Sequence, residues 1–279
     1  MTHTESSCWQ CPLCETPLTL NQSQWQCANR HCFDRAKEGY VNLLPAQHKN
    51  SKNPGDSKAM VAARQQFLNQ GHYAPLVDAI LALLRYHCVT TDTLRLFDVG
   101  CGEGYYSRTL SALFSAQQQA VSIYGIDIAK AAVQKAAKQT VNGHFAVAST
   151  FHIPTQADVF DAAIQIFAPA SPTEVHRILK PGGIWLCVDP NEYHLQELKQ
   201  LVYDKPSLHN TDTAVPAGFS MLSTEELTFR IRLDTPEVRE QLLMMTPFYW
   251  TTSPTKVARL KAELTQVTAS FQLKLLVKD

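Results

Sequence analysis

Two acidic residues frame a glycine-rich turn in the stretch Leu94-Arg95-Leu96-Phe97-Asp98-Val99-Gly100-Cys101-Gly102-Glu103-Gly104-Tyr105-Tyr106. Asp98 closes a short apolar run, and Glu103 sits inside the turn, where a bound pyrophosphate requires bare backbone N–H groups. Two carboxylates a few ångströms from a phosphate would cost several kcal/mol at an effective dielectric of about 20. The same carboxylates favour a cation. A dinucleotide fingerprint G-x-G-x-x-G is also missed, because Gly104 comes one residue early and Tyr105 stands in its place. A third carboxylate, Asp127, ends the run Val121-Ser122-Ile123-Tyr124-Gly125-Ile126-Asp127. It lies about 20 residues past the turn, where an acidic side chain holds ribose hydroxyls. Asp98, Gly100, Gly102, Glu103 and Asp127 thus outline a site for a positively charged nucleoside cofactor without phosphate. A helix-capping role for Asp127 is compatible with it.

A second set of residues with chemical potential lies near the start. Five of the eight cysteines (Cys8, Cys11, Cys14, Cys27 and Cys32) fall within the first 32 residues. Cys11-Pro12-Leu13-Cys14 is a C-x-x-C knuckle, and Cys27 to His31 gives C-x3-H after twelve intervening residues. Three thiolates and an imidazole in this spacing suit a closed tetrahedral zinc site, which serves folding or recognition because no coordination position is left open. Cys32 could take the place of His31, and Cys8 is a spare. A thioredoxin-like redox role fails because no βαβ pattern surrounds the motif. From Arg30 to Lys52, Arg30, Arg35, Lys37, Lys49 and Lys52 alternate with Phe33, Tyr40 and His48. Such a run suits RNA contact and equally a solvated face.

Positioning these groups requires an α/β frame. The chain has 279 residues, 45% of them apolar, enough for a large domain with an appendage or for two domains. Lys plus Arg and Asp plus Glu both number 25, so bulk charge gives no argument for a polyanionic partner. The N-terminus carries no signal pattern and no apolar run approaches the roughly 18 residues of a membrane span, so a cytoplasmic protein with reduced thiols is expected. The segment Thr19 to Gln26 reads as a hairpin joining the two ligand pairs. Asn53-Pro54-Gly55-Asp56 is a turn and the expected linker, which divides the chain into a zinc-binding module (1–53) and a catalytic domain (54–279). Helical spacing predicts helices over 57–70, 75–87, 105–114, 129–138 and 172–179. Strands are expected over 94–99, 121–127, 144–148, 160–167 and 184–188, with Lys180-Pro181-Gly182-Gly183 as the turn into the last. Beyond it, 191–202, 236–245 and 255–265 read as helices, and 227–233 and 271–277 as antiparallel edge strands. Segments 207–218 and 220–226 resist assignment and could form a lid.

The pattern D-x-G-x-G-x-G with Asp127 resembles the class I S-adenosylmethionine-dependent methyltransferases. More specifically, C-P-L-C, C-x-x-x-H-x-F-D, A-K-E-G-Y-V-N-L-L-P (36–45), P-G-D (54–56), F-L-x-x-G-H-Y (67–73) and D-V-G-C-G-E-G-Y-Y together resemble the RlmA family. The resemblance implies a Rossmann-like sheet with a small N-terminal zinc module, S-adenosylmethionine and Zn2+ as cofactors, and methylation of guanine N1 in a hairpin loop of 23S ribosomal RNA. It places the zinc ligands on Cys11, Cys14, Cys27 and His31, and cofactor contacts on Tyr73, Gly102, Glu103 and His194. Likeness to the wider class puts the adenine at Ser149 and the transferred methyl near Phe167-Ala168-Pro169. The resemblance also leaves room for a homodimer.

Guanine N1 carries a proton at neutral pH, so an acceptor is needed near it, and Asp189, which follows the fifth strand, is the candidate by position. Phe248 and Trp250 are candidates for stacking on the target base, or else core aromatics. Other readings are methylation of a neighbouring guanine in the same hairpin, as in relatives linked to macrolide resistance, a non-catalytic RNA-binding assembly factor, and a small-molecule methyltransferase. The intact acidic glycine turn disfavours the assembly factor. The zinc knuckle disfavours the small-molecule enzyme.

Overall fold

The structure, a computed structural model, describes residues 6–48, 55–88, 93–203 and 214–279. Most of the Met1–Ser7 terminus, Lys49, Lys52, Asn53, Pro54 and much of the 207–218 segment lie outside the described residues.

Four short strands, β1 (Ser6–Gln10), β2 (Pro17–Asn21), β3 (Gln24–Gln26) and β4 (Cys32–Asp34), pair in sequence order as a small sheet. The expected hairpin is β2–β3, with Leu20 opposite Trp25. The strands on either side of it, β1 and β4, carry no alternating pattern that would announce them. The chain then contributes β5 (Val41–Asn42) to a second, eight-stranded sheet, as its terminal strand. After α1 (Lys58–Asn69) and α2 (Ala74–His87) follow β6 (Leu94–Val99), α3 (Tyr105–Ala116), β7 (Val121–Asp127), α4 (Lys130–Gln139), β8 (Gly143–Val147), β9 (Phe160–Ile166), α5 (Pro172–Ile178), β10 (Leu179–Pro190), α6 (Gln196–Val202), β11 (Phe219–Arg232), α7 (Pro236–Met244), α8 (Pro254–Glu263) and β12 (Gln266–Lys278).

The large sheet runs β11-β12-β10-β9-β6-β7-β8-β5. β5 to β10 are parallel, and β12 and β11 add antiparallel to one side. The order reverses between β6 and β9, so a crevice opens above their carboxyl ends, the standard place for a ligand in an open α/β sheet. One face of the sheet packs Leu96, Ile164, Leu186 and Phe271 against the helices, including Leu76, Ile80 and Leu84 of α2. The opposite face buries Phe97, Val99, Trp185 and Cys187 with α5 and with Trp9, Leu18 and Trp25 of the small sheet. The cysteine-bearing segment is therefore seated on the catalytic sheet. Trp9 meets the Tyr124 ring edge-on at 5.4 Å, Gln10 donates its N–H to Pro154 at 2.8 Å, and Gln156 donates to Cys8 at 3.1 Å.

Ser171-Pro172, Thr235-Pro236 and Ser253-Pro254 start α5, α7 and α8, the hydroxyl accepting a bond three residues on and Pro filling the first helical position. Four expectations need correction. Lys180 to Gly183 is a bulge inside β10, where the register against β9 shifts, because the two flanking segments both stay paired. The helix expected over 191–202 begins at Gln196; Leu195 takes a positive φ of 52°, so His194 sits in the turn before it. The segment 220–226 is part of β11, an edge strand largely exposed on both faces, which erases the alternation that marks a half-buried strand. Tyr40, placed in the basic surface run by its sequence, is a buried core residue.

Candidate active site and metal centre

The two knuckles bring their side chains together. Glu15 N–H donates to Cys11 at 2.8 Å and Arg30 N–H to Cys27 at 2.9 Å, and both donors adopt positive φ, so the chain folds back under each ligand pair. His31 Nδ1 lies 3.5 Å from Cys11 Sγ, 3.3 Å from Cys14 Sγ and 3.5 Å from Cys27 Sγ, and Cys14 and Cys27 are 3.7 Å apart. The four ligand atoms lie within 4.8 Å of one another. Bonds of about 2.0–2.3 Å to a tetrahedral centre give ligand separations of about 3.4–3.8 Å, so this donor set fits Zn2+. The Thr16 hydroxyl, 3.2 Å from Cys14 Sγ, and the Asn29 side chain hold the Cys14 thiol down to about 5. Cys32 is exposed and turns its thiol to the Arg30 carbonyl at 3.4 Å, outside the cluster.

The glycine turn is built as its spacing requires. Gly100, Gly102 and Gly104 have φ of 80°, 54° and 84°, which side chains rarely adopt. A Cβ on Gly100 would fall 2.4 Å from Ala168 Cβ, and one on Gly104 would fall 2.8 Å from Ala136. Asp98 and Glu103 are both buried. The Ser107 hydroxyl, near the start of α3, donates to Asp98 Oδ2 at 2.5 Å. Burial pushes the Asp98 carboxyl up to about 7, against that hydrogen bond, and the neighbouring Asp127 adds to the rise. Asp127 spans two turns, accepting from Gly102 N–H at 3.0 Å through Oδ2 and from Ala129 N–H at 2.7 Å through Oδ1. Burial raises its carboxyl as well, opposed by those two bonds.

Glu103 differs from the picture of a free negative rim. Its Oε2 accepts from Arg108 Nη1 at 2.8 Å, and Arg108 Nη2 reaches Asn69 of α1 at 2.5 Å. Its Oε1 is buried with no partner. A buried acceptor left open beside a turn of positive-φ glycines fits a cofactor that brings a cationic or hydroxyl donor. The site also holds Arg64, which pairs with Asp56 and stands 3.9 Å from a Cβ position on Gly102. Sequence reasoning missed Ser107, Arg108, Asn69 and Arg64. The signal for Ser107 and Arg108 was their place in the first turn of the helix that follows the glycines.

The remaining candidates divide. Tyr73 is buried between Phe67, Phe229 and Phe271, with ring centroids at 5.8, 6.5 and 5.3 Å. His194 is buried, accepts from Ser270 N–H through Nδ1 at 3.2 Å, and lies 4.8 Å from Phe271 and 6.0 Å from Phe167. Ser149 accepts from Phe151 N–H through its hydroxyl at 3.2 Å. It lines a cleft of about 270 Å3 together with Cys11, Leu43, Pro45, His152 and Arg177. Ser149, just past the end of β8, and Cys11 of the metal cluster thus border one opening. Asp189 does not join the buried carboxylates. It shares its side of β10 with Trp185 and Cys187, and its carboxylate is 3.8 Å from Lys274 Nζ. Phe248 and Trp250 diverge: the Phe248 ring packs on Tyr203 at 5.5 Å, whereas Trp250 is 65% exposed and donates from Nε1 to Met60 Sδ at 3.3 Å.

Residues 9–52 match the family described as RlmA, N-terminal, and residues 90–248 match a methyltransferase domain. The 23S rRNA (guanine(748)-N(1))-methyltransferase of Streptomyces fradiae is 33% identical, covering 91% of this chain and 90% of the relative. The chain belongs to the RlmA family. YxjB of Bacillus subtilis (strain 168), to which the same kind of activity is provisionally assigned, is 31% identical over 91% of each chain. A relative from Micromonospora griseorubida is 30% identical over 95% of each. As an RlmA-family protein the chain is a methyltransferase that uses S-adenosylmethionine, with zinc as its second cofactor. Among the described residues no helix is long and apolar enough to cross a membrane.

Proposed function

We infer that this RlmA-family enzyme methylates N1 of a guanine in a hairpin loop of 23S ribosomal RNA, in the cytoplasm. The observation that carries the reading is one cleft lined both by Cys11 of the zinc knuckle and by Ser149, the residue to which likeness to the wider class assigns the adenine. A module bonded to the catalytic sheet in that position can hold an RNA hairpin while its loop reaches the crevice. The name of the Streptomyces fradiae relative supports the same substrate. Recognition is assigned to residues 1–53 and catalysis to 54–279.

Bound S-adenosylmethionine supplies a methyl group activated by a sulfonium. Asp127 would hold the ribose, and Asp98 and Glu103, with Tyr73, Gly102 and His194, would hold the amino-acid end. The chain's task is then alignment, since an in-line displacement gains most from fixed geometry. As the guanine N1 lone pair forms the new N–C bond, the methyl C–S bond would break to leave a neutral thioether, and the N1 proton must leave. Asp189, partly exposed at the carboxyl end of β10, accepts it, with Lys274 holding the carboxylate in place. Extruding a loop guanine costs at most a few kcal/mol because it is already partly unstacked.

The test is primer extension on 23S RNA from cells with and without the gene. A stop at one guanine that disappears on deletion is expected. A stop at guanine 748 would match the Streptomyces fradiae activity, and one at a neighbouring guanine would fix the alternative position. Unchanged stops in the deletion strain would overturn the reading.

A further inference from the structure

Phe167 is the first residue beyond β9, and it holds a positive φ of 56° while its side chain is 42% exposed. Both features are unfavourable for phenylalanine. A left-handed turn prefers Gly or Asn, and a large exposed ring gains little from burial. The turn is nonetheless tightly braced. Phe167 donates its N–H to Val188 at 3.1 Å, Gln165 Nε2 donates to Ala168 O at 2.5 Å, and the Thr150 hydroxyl donates to Pro169 O at 2.7 Å. The ring is backed by Phe271 at 5.5 Å and His194 at 6.0 Å, tilted by 39° and 31°. Strain that a surrounding structure holds in place marks positions with work to do.

Its position says what that work is. Ala168, the next residue, presses on Gly100 of the cofactor turn, so Phe167 stands at the switch point between β6 and β9. Two further exposed aromatics, Phe151 and Tyr193, lie on the loops after β8 and β10, the first tied to the Phe167 loop through Thr150. We propose that the exposed part of the Phe167 ring is the stacking site for the purine base that receives the methyl group, with Phe271 and His194 as its rigid backing. This inference rests on the RNA-methylating reading and supplies the stacking residue that Phe248 and Trp250 do not provide together.

The test compares Phe167→Gly, Phe167→Leu and Phe167→Tyr in the full-length, zinc-loaded protein, with a 23S RNA hairpin fragment as substrate. Glycine relieves the positive φ, so that variant keeps its fold while losing the ring. The Gly and Leu variants should lose about 10- to 100-fold in kcat/KM for RNA, the range that stacking of one base supports. Their Kd for S-adenosylmethionine by calorimetry should stay within about twofold, and Tyr should restore most of the activity. Gly and Leu variants as active as the wild type would overturn the inference alone, as would a parallel loss of cofactor binding, which would assign the ring to the cofactor. A wild-type protein that binds S-adenosylmethionine but leaves the RNA unmethylated would overturn the functional reading and this inference with it.

Discussion

Arg108 Nη1 lies 2.8 Å from Glu103 Oε2, an ion pair in which the carboxylate is almost fully buried and the guanidinium side chain 17% exposed. The pair ties the glycine turn to the helix that follows it and, through Asn69, to α1. Arg108→Ala leaves a buried carboxylate without its counterion and should cost roughly 2–3 kcal/mol, read as a lower urea midpoint. Glu103→Gln, which keeps a hydrogen-bonding oxygen, should cost less than half of that while weakening S-adenosylmethionine binding.

Asp98 should make both stability and cofactor affinity depend on pH. Its folded pKa of about 7 exceeds the unfolded value of about 4, so the folded state binds that proton more tightly. Its contribution to stability is therefore full at low pH and is lost as pH rises from about 4 to about 7. Asp98→Asn should flatten that slope in melts of the ligand-free protein. A bound cation reverses the demand, because it favours the ionised carboxylate. Calorimetric affinity for S-adenosylmethionine should then rise from about pH 5.5 and level off above about pH 7.5 in the wild type, and vary much less in the Asn variant.

Gly100→Ala meets two obstacles, the φ of 80° and the Ala168 methyl 2.4 Å away. Strain of about 1–3 kcal/mol is expected from the backbone alone, with a lower melting temperature and S-adenosylmethionine binding lost by calorimetry. A variant that binds the cofactor normally would show that the turn can reshape without cost.

Cys14→Ala removes one of four metal ligands. Bound zinc should fall by more than about tenfold in affinity, because a three-ligand shell no longer closes. The small sheet should loosen around Trp9, and RNA methylation should fall with it. Cofactor binding, which uses the carboxyl ends of β6 and β7, should persist. Colorimetric zinc release alongside calorimetry separates the two effects.

Much of this arrangement was readable beforehand, and the exceptions share a physical cause. The apolar run ending at Asp98, the glycines and the next strand ending at Asp127 reappear in place, since strand, turn and helix each obey a local rule. The ligand spacing of Cys11, Cys14, Cys27 and His31 likewise depends on nearest neighbours in the chain. What stayed hidden depends on contacts distant in sequence. Arg108, the counterion of Glu103, is anchored in turn by Asn69 of α1, Trp9 is buried against Tyr124 from over a hundred positions away, and the turn at Phe167 is backed by Phe271 from a similar distance. β11 was obscured because an edge strand wet on both faces has no periodic apolar signal.

Val41 and Asn42 cap the outer margin of the catalytic sheet by lying alongside Ala146 and Val147. A fragment engineered to begin after that point would uncover the backbone amides and carbonyls at Ala146 and Val147, an open template for a neighbouring molecule's strand. The stretch leading away from the metal therefore doubles as a guard against strand-to-strand association, and shortening the protein to its transferase portion would leave that edge open.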